Sequence, residues 1–208
     1  MKIILADDHN VLRKGLIMIL EKSFPSAEIE EVSDGTDLIK KVMKQKWDII
    51  ISDISMPGLS GIDAIKQVKD ISPHIPILVL STHAPEQYAL RAIRAGASGY
   101  LTKESAPEEL VTAINTLLRG KKYITPEVAE ILAEAYGDDF EKAPHEQLSD
   151  REFQVLQLII KGKTISEISE ALSLSVNTIS TYKARILSKM HVHNNAELIK
   201  YAIENNLL

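Results

Sequence analysis

The sequence predicts an α/β fold, a doubly wound five-stranded parallel sheet, followed by an all-α domain of four helices. In residues 1–120, short apolar runs typical of buried strands alternate with helical apolar stripes, which is the pattern of consecutive βαβ units. From residue 148 to residue 208 the apolar periodicity is helical only. Residues 121–147 are acidic, polar and broken by Gly137 and Pro144, so we predict a linker there, with one short helix near 125–135.

Five short segments are predicted as strands, and all but the second are apolar runs. They span residues 2–6, 28–32, 48–52, 77–80 and 99–102. Helices are predicted between and after the strands, where apolar residues recur every three to four positions. They span residues 11–21, 38–43, 62–68, 87–95 and 108–118. A parallel sheet with helices in every crossover is covered on both faces.

Helix caps mark the elements of the second half. The segments 149–152 and 164–167 have the Ser/Thr-x-x-Glu pattern of a capping box, and each precedes apolar residues at helical spacing. A tight turn then leads to a longer helix over 176–190, and a fourth helix begins at Asn195. Two helices joined by such a short turn predict a helix-turn-helix.

Polar side chains follow four of the predicted strands at their carboxyl ends. They are Asp7, Asp8, Asp53, Ser81 and Lys103. The carboxyl ends of parallel strands share one edge of the sheet, where ligands bind. Three carboxylates at one edge need a cation between them, and Mg2+ prefers oxygen ligands. Because a hydroxyl and an ammonium suit phosphoryl oxygens, the sequence predicts a pocket that accepts a phosphoryl group beside Mg2+.

Composition excludes several classes of protein. The 208 residues include no cysteine, so disulfides, thiolate catalysis and cysteine-based zinc sites are excluded. No apolar run reaches the roughly 18 residues that a membrane span needs. The start, MKIILADDH, turns acidic at once and is unlike a signal peptide. We therefore expect a cytoplasmic protein with no membrane partner.

Four motifs carry a resemblance to a known family. They are ADD at 6–8, SDISMPGLSG at 52–61, VLS at 79–81 and GYLTK at 99–103. In this order and spacing they resemble the receiver domain of bacterial two-component response regulators, which has a flavodoxin-like fold. The resemblance implies a phosphoacceptor domain over residues 1–120, followed by the linker at 121–147.

The resemblance also implies a role for each pocket residue. Asp53 would accept the phosphoryl group, and Ser81 and Lys103 would bind its oxygens. Mg2+ would be held by Asp7, Asp8, Asp53 and the backbone carbonyl of Ser55.

Two further roles follow from the same resemblance. Ser81 and Tyr100 would form the conformational switch that reports phosphorylation. In the family, the positions of Ser55 and His83 tune hydrolysis of the aspartyl phosphate. We expect His83 to affect the access of water to that bond.

The segment 148–208 resembles the LuxR-type helix-turn-helix domain, which together with a receiver is typical of the NarL/FixJ subfamily. On the helix over 176–190, we expect Val176, Ile179, Ile186 and Met190 to face the domain core. The opposite face and its edges should contact DNA, because such a helix enters the major groove. The predicted DNA-contacting residues are Asn177, Thr178, Ser180, Thr181, Tyr182, Lys183, Ala184, Arg185, Ser188 and Lys189.

Small side chains stand at Ser180 and Ala184, where relatives often carry a basic residue. Arg185 is therefore the main candidate for a guanine contact, and dimerisation should compensate for weak binding by one domain. By resemblance the last helix supplies the dimer face, although its apolar residues could equally be core. That predicted face consists of Ala196, Ile199, Lys200, Ile203 and Glu204.

We therefore predict a transcriptional response regulator and not a turnover enzyme. A sensor histidine kinase would phosphorylate Asp53, and the phosphorylated homodimer would bind double-stranded promoter DNA and act through RNA polymerase. Two alternatives remain at this point. One is a Mg2+-dependent phosphatase or flavodoxin-like cofactor enzyme, although a haloacid-type phosphatase would carry an acid at Ser55. The other is a constitutive DNA-binding protein with a vestigial receiver.

Overall fold

The computed structural model describes residues 1–56, 59–137, 143–205 and 207. The predicted loop residues Pro57 and Gly58, and linker residues 138–142, lie outside the described residues. By its internal contacts the chain divides into two compact units, Met1–Gly137 and Asp138–Leu208.

The first unit is built on a five-stranded parallel sheet with the order β2-β1-β3-β4-β5. The predicted doubly wound sheet is confirmed. Its strands are β1 Lys2–Ala6, β2 Glu28–Val32, β3 Ile49–Asp53, β4 Ile77–Ser81 and β5 Gly99–Thr102. Two predicted strands extend one residue further than expected, so Asp53 and Ser81 are the last residues of β3 and β4.

The register of the sheet aligns the polar strand ends. Asp53 lies opposite Leu80, and Ser81 lies opposite Thr102. Ala6 lies opposite Ser52, so the segment that follows β1 meets Asp53 at the same edge. The edge anticipated from the sequence is therefore present.

Helices cover both faces of this sheet. They are α1 Asn10–Ser23, α2 Gly35–Lys44, α3 Gly61–Ile71, α4 Pro85–Arg94 and α5 Ala106–Leu118. Leu16 and Leu20 of α1, together with Leu110 and Ile114 of α5, pack in one cluster with alternate strand residues such as Ile51. The cluster buries one sheet face and fixes the strands whose ends carry the polar side chains.

A sixth helix, α6 Pro126–Gly137, packs against α4 within this unit. It follows an isolated parallel bridge between Gly99 and Tyr123. A Cβ at Gly99 would lie 2.9 Å from the Tyr123 carbonyl oxygen, so only glycine permits this approach. Val128 of α6 is buried. The short helix predicted in the linker is therefore present, and it docks on the first unit.

The second unit is helical. It contains a short 3-10 helix, Pro144–Gln147, followed by α7 Asp150–Ile160, α8 Ile165–Leu172, α9 Val176–Lys189 and α10 Asn195–Glu204. Both predicted capping boxes form, at the starts of α7 and α8. The turn between α8 and α9 passes through Ser173 in the left-handed region, with φ of 52°. The predicted four-helix domain with a helix-turn-helix is confirmed.

Candidate functional site

The carboxyl edge of the sheet holds an ion-pair cluster around Lys103. Lys103 Nζ lies 2.7 Å from Asp53 Oδ2 and 2.7 Å from Asp7 Oδ2. The side chains of Asp7, Asp53 and Lys103 are all buried. Three residues from distant parts of the sequence therefore meet through direct contacts, as the pattern of strand ends indicated.

Burial and charge act in opposite directions on this cluster. Burial raises the pKa of Asp53, although the Lys103 ammonium and the Ser55 backbone N–H oppose that rise. Burial works to lower the pKa of Lys103, but the carboxylates of Asp53 and Asp7 outweigh it and raise the pKa. One ammonium thus neutralises only part of the buried negative charge.

The residues present fit a divalent cation. Asp7 Oδ2 is buried and, within the described residues, has no hydrogen bond of good geometry, although the Lys103 ammonium lies 2.7 Å from it. Single ligand atoms from Asp7, Asp8, His9 and Asp53 all lie within 4.8 Å of one another. The Asp8 side chain is 32% exposed, which leaves the cluster open toward solvent. Carboxylate oxygens are the ligands that hard divalent ions prefer.

The loops after β3 and β4 are joined beside Asp53. The Ser55 backbone N–H donates to Asp53 Oδ1 at 3.0 Å. The Ser55 hydroxyl lies 3.2 Å from His83 Nε2, and the His83 ring packs against Tyr88, with 4.9 Å between ring centroids. Ser55 and His83, the two positions expected to tune hydrolysis of the aspartyl phosphate, are thus in direct contact.

Ser81 and Tyr100 are bonded to the same residue. The His83 backbone N–H donates to the Ser81 hydroxyl at 3.0 Å. The Tyr100 hydroxyl donates to the His83 carbonyl at 3.0 Å. Tyr100 is 1% exposed, and burial raises its pKa. The two predicted switch side chains are therefore linked through the backbone at the start of the segment that leads to α4.

His9 belongs to the cluster, and the sequence reasoning did not single it out. Its Nδ1 lies 2.8 Å from Asp8 Oδ1 and 3.9 Å from Asp53 Oδ2. The signal that could have found it is its position directly after Asp7 and Asp8, where the N-cap of α1 usually carries Ser, Thr, Asp or Asn.

In the second unit, α9 presents a polar face. The exposed residues of the predicted DNA-contacting set are Asn177, Ser180, Thr181, Ala184, Arg185 and Ser188. The half-buried residues of the set are Thr178, Tyr182, Lys183 and Lys189. A shallow hollow on this face is lined by Asn177, Thr178, Thr181, Tyr182 and Arg185.

Some side chains of this unit have positions that the helical pattern did not anticipate. Ile179, Ile186 and Met190 are core residues as expected, but Val176, the first residue of α9, is 47% exposed. The Lys189 ammonium lies 2.6 Å from Glu152 Oε2, so a phosphate contact by Lys189 would compete with this ion pair.

The last helix divides its apolar residues between core and surface. Leu198 and Ala202 are buried, whereas Ile203 is 58% exposed. Of the predicted dimer face, Ala196, Lys200 and Glu204 are also exposed, and Ile199 is half-buried. An exposed strip therefore remains on α10, next to its buried side.

Two family models match the chain. Residues 3–115 match the response regulator receiver domain, and residues 146–202 match the bacterial regulatory proteins of the luxR family. Together with the acidic pocket and the helix-turn-helix, they define the class of the protein as a transcription-regulating response regulator.

Similar proteins cover almost the whole chain. Response regulator UvrY of Escherichia coli K12 is 34% identical over 206 residues, which are 99% of this chain and 94% of UvrY. Oxygen regulatory protein NreC of Staphylococcus carnosus is 36% identical over 215 residues, covering 100% of this chain and 99% of NreC. The chain therefore belongs to the NarL/FixJ family of response regulators.

Solved structures of RcsB, a response regulator of Salmonella, are similar as well. One structure of RcsB from Salmonella typhimurium aligns with a TM-score of 0.59 at 32% identity and covers 97% of both chains. RcsB from Salmonella enterica serovar Typhimurium, bound to promoter rprA in the presence of phosphomimetic BeF3-, aligns with a TM-score of 0.66 at 30% identity, over 97% of this chain and 98% of that one.

The helices offer nothing that could cross a membrane. Within residues 1–56, 59–137 and 143–205, none combines the length and the apolar character that a span requires.

Proposed function

We propose that Asp53 accepts a phosphoryl group and thereby controls binding of promoter DNA by α9. In this proposal residues 1–120 are the phosphoacceptor domain, 121–147 the linker and 148–208 the DNA-binding domain. The observation that carries it is the buried contact of 2.7 Å between Asp53 Oδ2 and Lys103 Nζ at the sheet edge. A carboxylate in this setting can act as a nucleophile, with a cation in place for the arriving negative charge.

The transfer forms one bond and breaks one. An Asp53 carboxylate oxygen forms a bond to phosphorus, and the P–N bond of the kinase phosphohistidine breaks, with its electron pair retained by the leaving imidazole. Lys103 and Ser81 would then bind oxygens of the transferred group. Lys103 supports this role because its ammonium already contacts the acceptor, and Ser81 because it ends the neighbouring strand β4.

We further propose that Mg2+ is held by Asp7, Asp8, Asp53 and the carbonyl of Ser55. The buried Asp7 Oδ2, whose contact is the Lys103 ammonium, and the open side of the cluster at Asp8 support this ligand set. When bound, the ion would offset the charge of the phosphoryl group and of the carboxylates around it. The protein's own contribution would be to hold the carboxylates of Asp7, Asp8 and Asp53 at one edge, with Lys103 in contact with two of them.

The phosphorylation state would reach the surface through Ser81 and Tyr100. The Ser81 hydroxyl accepts from the His83 N–H, and its own hydrogen can donate to a phosphoryl oxygen; a movement of the hydroxyl toward that oxygen would change its bond to His83. Because the Tyr100 hydroxyl is bonded to the His83 carbonyl, a shift at His83 changes the environment of Tyr100 too. The segment after His83 leads directly to α4, and α4 packs against α6. In this proposal these contacts act as a two-state element, which the charge of the phosphoryl group would bias.

For the output we propose that α9 enters the major groove and that two copies bind a two-fold site. The predicted DNA-contacting residues are exposed or half-exposed on α9. Between Glu170 and Glu197 the sequence contains no acidic residue, which favours approach to phosphates. RcsB, a similar protein, has been solved bound to promoter DNA and also as two dimers bound to two parallel DNAs. The exposed strip on α10 offers a surface for pairing.

The remaining parts of the proposal concern partners and turnover. A sensor histidine kinase is the donor, RNA polymerase is the target of the bound dimer, and the protein works in the cytoplasm. Hydrolysis of the aspartyl phosphate is slow and resets the switch, so Asp53 stores a phosphoryl group and is not a turnover catalyst.

The test is labelling of the full chain by acetyl phosphate with Mg2+, followed by mass spectrometry. We expect a gain of one phosphoryl group in the natural chain and none in Asp53→Asn. Asp70→Asn, on the exposed surface of α3, is the control and should be labelled normally. Full labelling of Asp53→Asn, or no labelling of the natural chain by acetyl phosphate, would contradict the proposal.

A further inference from the structure

His9 occupies the N-cap position of α1 without acting as a cap. In the described structure its side chain makes no capping hydrogen bond, although residues at this position usually bond to the exposed N–H groups of the first turn. Its backbone is fixed instead, because the His9 N–H donates to Asp7 Oδ1 at 2.7 Å. The imidazole is therefore held beside the carboxylates and is free for another role.

The distances around His9 Nδ1 are those of ligands that share an ion. Nδ1 lies 2.8 Å from Asp8 Oδ1, 3.4 Å from Asp7 Oδ1 and 3.9 Å from Asp53 Oδ2. Ligand atoms about 2.1 Å from an octahedral ion lie about 3.0 Å apart when adjacent and about 4.2 Å apart when opposite. All three distances are close to that interval, so one ion could contact the nitrogen and the oxygens with only small shifts.

A second observation points to a cation at the same place. Asp7 Oδ2 is a buried oxygen without a hydrogen bond of good geometry in the part of the chain that the structure describes. The Lys103 ammonium contacts Asp7 and Asp53 at 2.7 Å and also approaches His9 Nδ1 at 3.5 Å. The His9 side chain is 59% exposed, so the imidazole stands on the side of the cluster that is open to solvent.

We propose that His9 is a nitrogen ligand of the divalent ion in this pocket and gives the site a preference for Mn2+ over Mg2+. Imidazole nitrogen is a good ligand for transition metals, whereas Mg2+ prefers oxygen. The proposal rests on the cation site of the proposed function and adds to it one ligand and an order of ion preference.

Mn2+ is paramagnetic, so a bound nitrogen can be detected directly. Electron spin echo envelope modulation of the Mn2+-loaded full chain should contain a 14N coupling, and that coupling should be absent in His9→Asn. By titration, His9→Asn should weaken Mn2+ binding about tenfold, a typical effect of one tuning group at a metal site. Its Mg2+ affinity should stay nearly the same.

Two variants make the outcome decisive. His74→Asn removes an exposed histidine that precedes β4, at the opposite edge of the sheet, and should keep both the coupling and the affinity. Asp8→Asn should weaken the binding of both Mn2+ and Mg2+. Absence of a 14N coupling in the natural chain, or equal weakening of Mn2+ and Mg2+ in His9→Asn, would overturn the assignment of His9 while leaving the cation site intact. If the natural chain binds neither ion, the cation site of the proposed function fails as well.

Discussion

The Ser55 hydroxyl lies 3.2 Å from His83 Nε2, and this contact joins the loop after β3 to the loop after β4. Ser55 also donates its backbone N–H to Asp53. A single residue thus connects the acceptor carboxylate to the imidazole. We propose that this contact limits the access of water to a phosphorylated Asp53.

His83→Ala should shorten the lifetime of phosphorylated Asp53 several-fold, because loss of the ring opens a path for water to the acyl phosphate. The measurement is the decay of the phosphorylated full chain after removal of acetyl phosphate. His74→Ala, which changes an exposed histidine away from the pocket, serves as the control. An unchanged decay rate in His83→Ala would show that the ring does not govern access of water.

Tyr100→Phe should separate phosphorylation from response. The variant keeps the buried ring but loses the hydroxyl that donates to the His83 carbonyl. We expect normal labelling of Asp53 by acetyl phosphate and a clearly smaller increase in DNA affinity upon labelling. Mass spectrometry measures the first quantity and fluorescence anisotropy with promoter DNA the second. Equal responses in Tyr100→Phe and the natural chain would exclude the hydroxyl from the switch.

Asp53→Asn should stabilise the folded chain at neutral pH. Burial raises the pKa of Asp53, so the ionised carboxylate disfavours the folded state. Below the pKa that Asp53 has in the unfolded chain, the carboxyl is protonated in both states and makes its full contribution to the free energy of unfolding. That contribution is lost as the pH rises through the higher pKa of the folded state. The amide removes that loss, so Asp53→Asn should gain about 1 kcal/mol near pH 7. The gain should shrink as pH falls below the raised pKa. Urea unfolding at several pH values measures both effects.

Lys103→Met should destabilise the folded chain. Removal of the ammonium leaves the buried carboxylates of Asp7 and Asp53 without their cation, which should cost about 3 kcal/mol of unfolding free energy. In the Asp53→Asn background the same change should cost less, since one carboxylate is already neutral. Equal costs in the two backgrounds would mean that the ion pair between Asp53 and Lys103 contributes nothing.

Arg185→Gln should reduce discrimination among DNA sequences. Arg185 is exposed on α9, where a guanidinium can contact guanine in two places. We expect weaker binding to a specific site by roughly 1–3 kcal/mol, with a smaller loss on nonspecific DNA. Lys22→Gln, on the exposed surface of α1, removes the same charge and should leave both affinities unchanged. Equal losses on specific and nonspecific DNA in Arg185→Gln would assign Arg185 to phosphate contact.

The fold and most of the pocket could be predicted because their signals are local. Strand runs and helical stripes are properties of short windows, and parallel order then brings the residues at the strand ends together. Asp53 and Lys103 are 50 residues apart in sequence and in contact in the structure for this reason. The capping boxes of α7 and α8 are likewise local and were found.

The sequence does not predict which residues are buried near the ends of a helix. Val176 belongs to the apolar stripe of α9, yet it is 47% exposed at the first turn of that helix. The packing of α6 against α4 joins two segments that are distant in sequence, so no local pattern predicts it. His9 was overlooked because a lone histidine in a loop has no periodicity, and only the geometry places it among the carboxylates.

The central claim is that phosphorylation of Asp53 increases promoter binding by the second domain. The most direct measurement is the affinity of the full chain for its own promoter DNA, with and without BeF3- and Mg2+, in the natural chain and in Asp53→Asn. We expect at least tenfold tighter binding with BeF3- in the natural chain, which corresponds to about 1.4 kcal/mol, and no change in Asp53→Asn. Equally tight binding under both conditions would contradict the account and favour a constitutive DNA-binding protein.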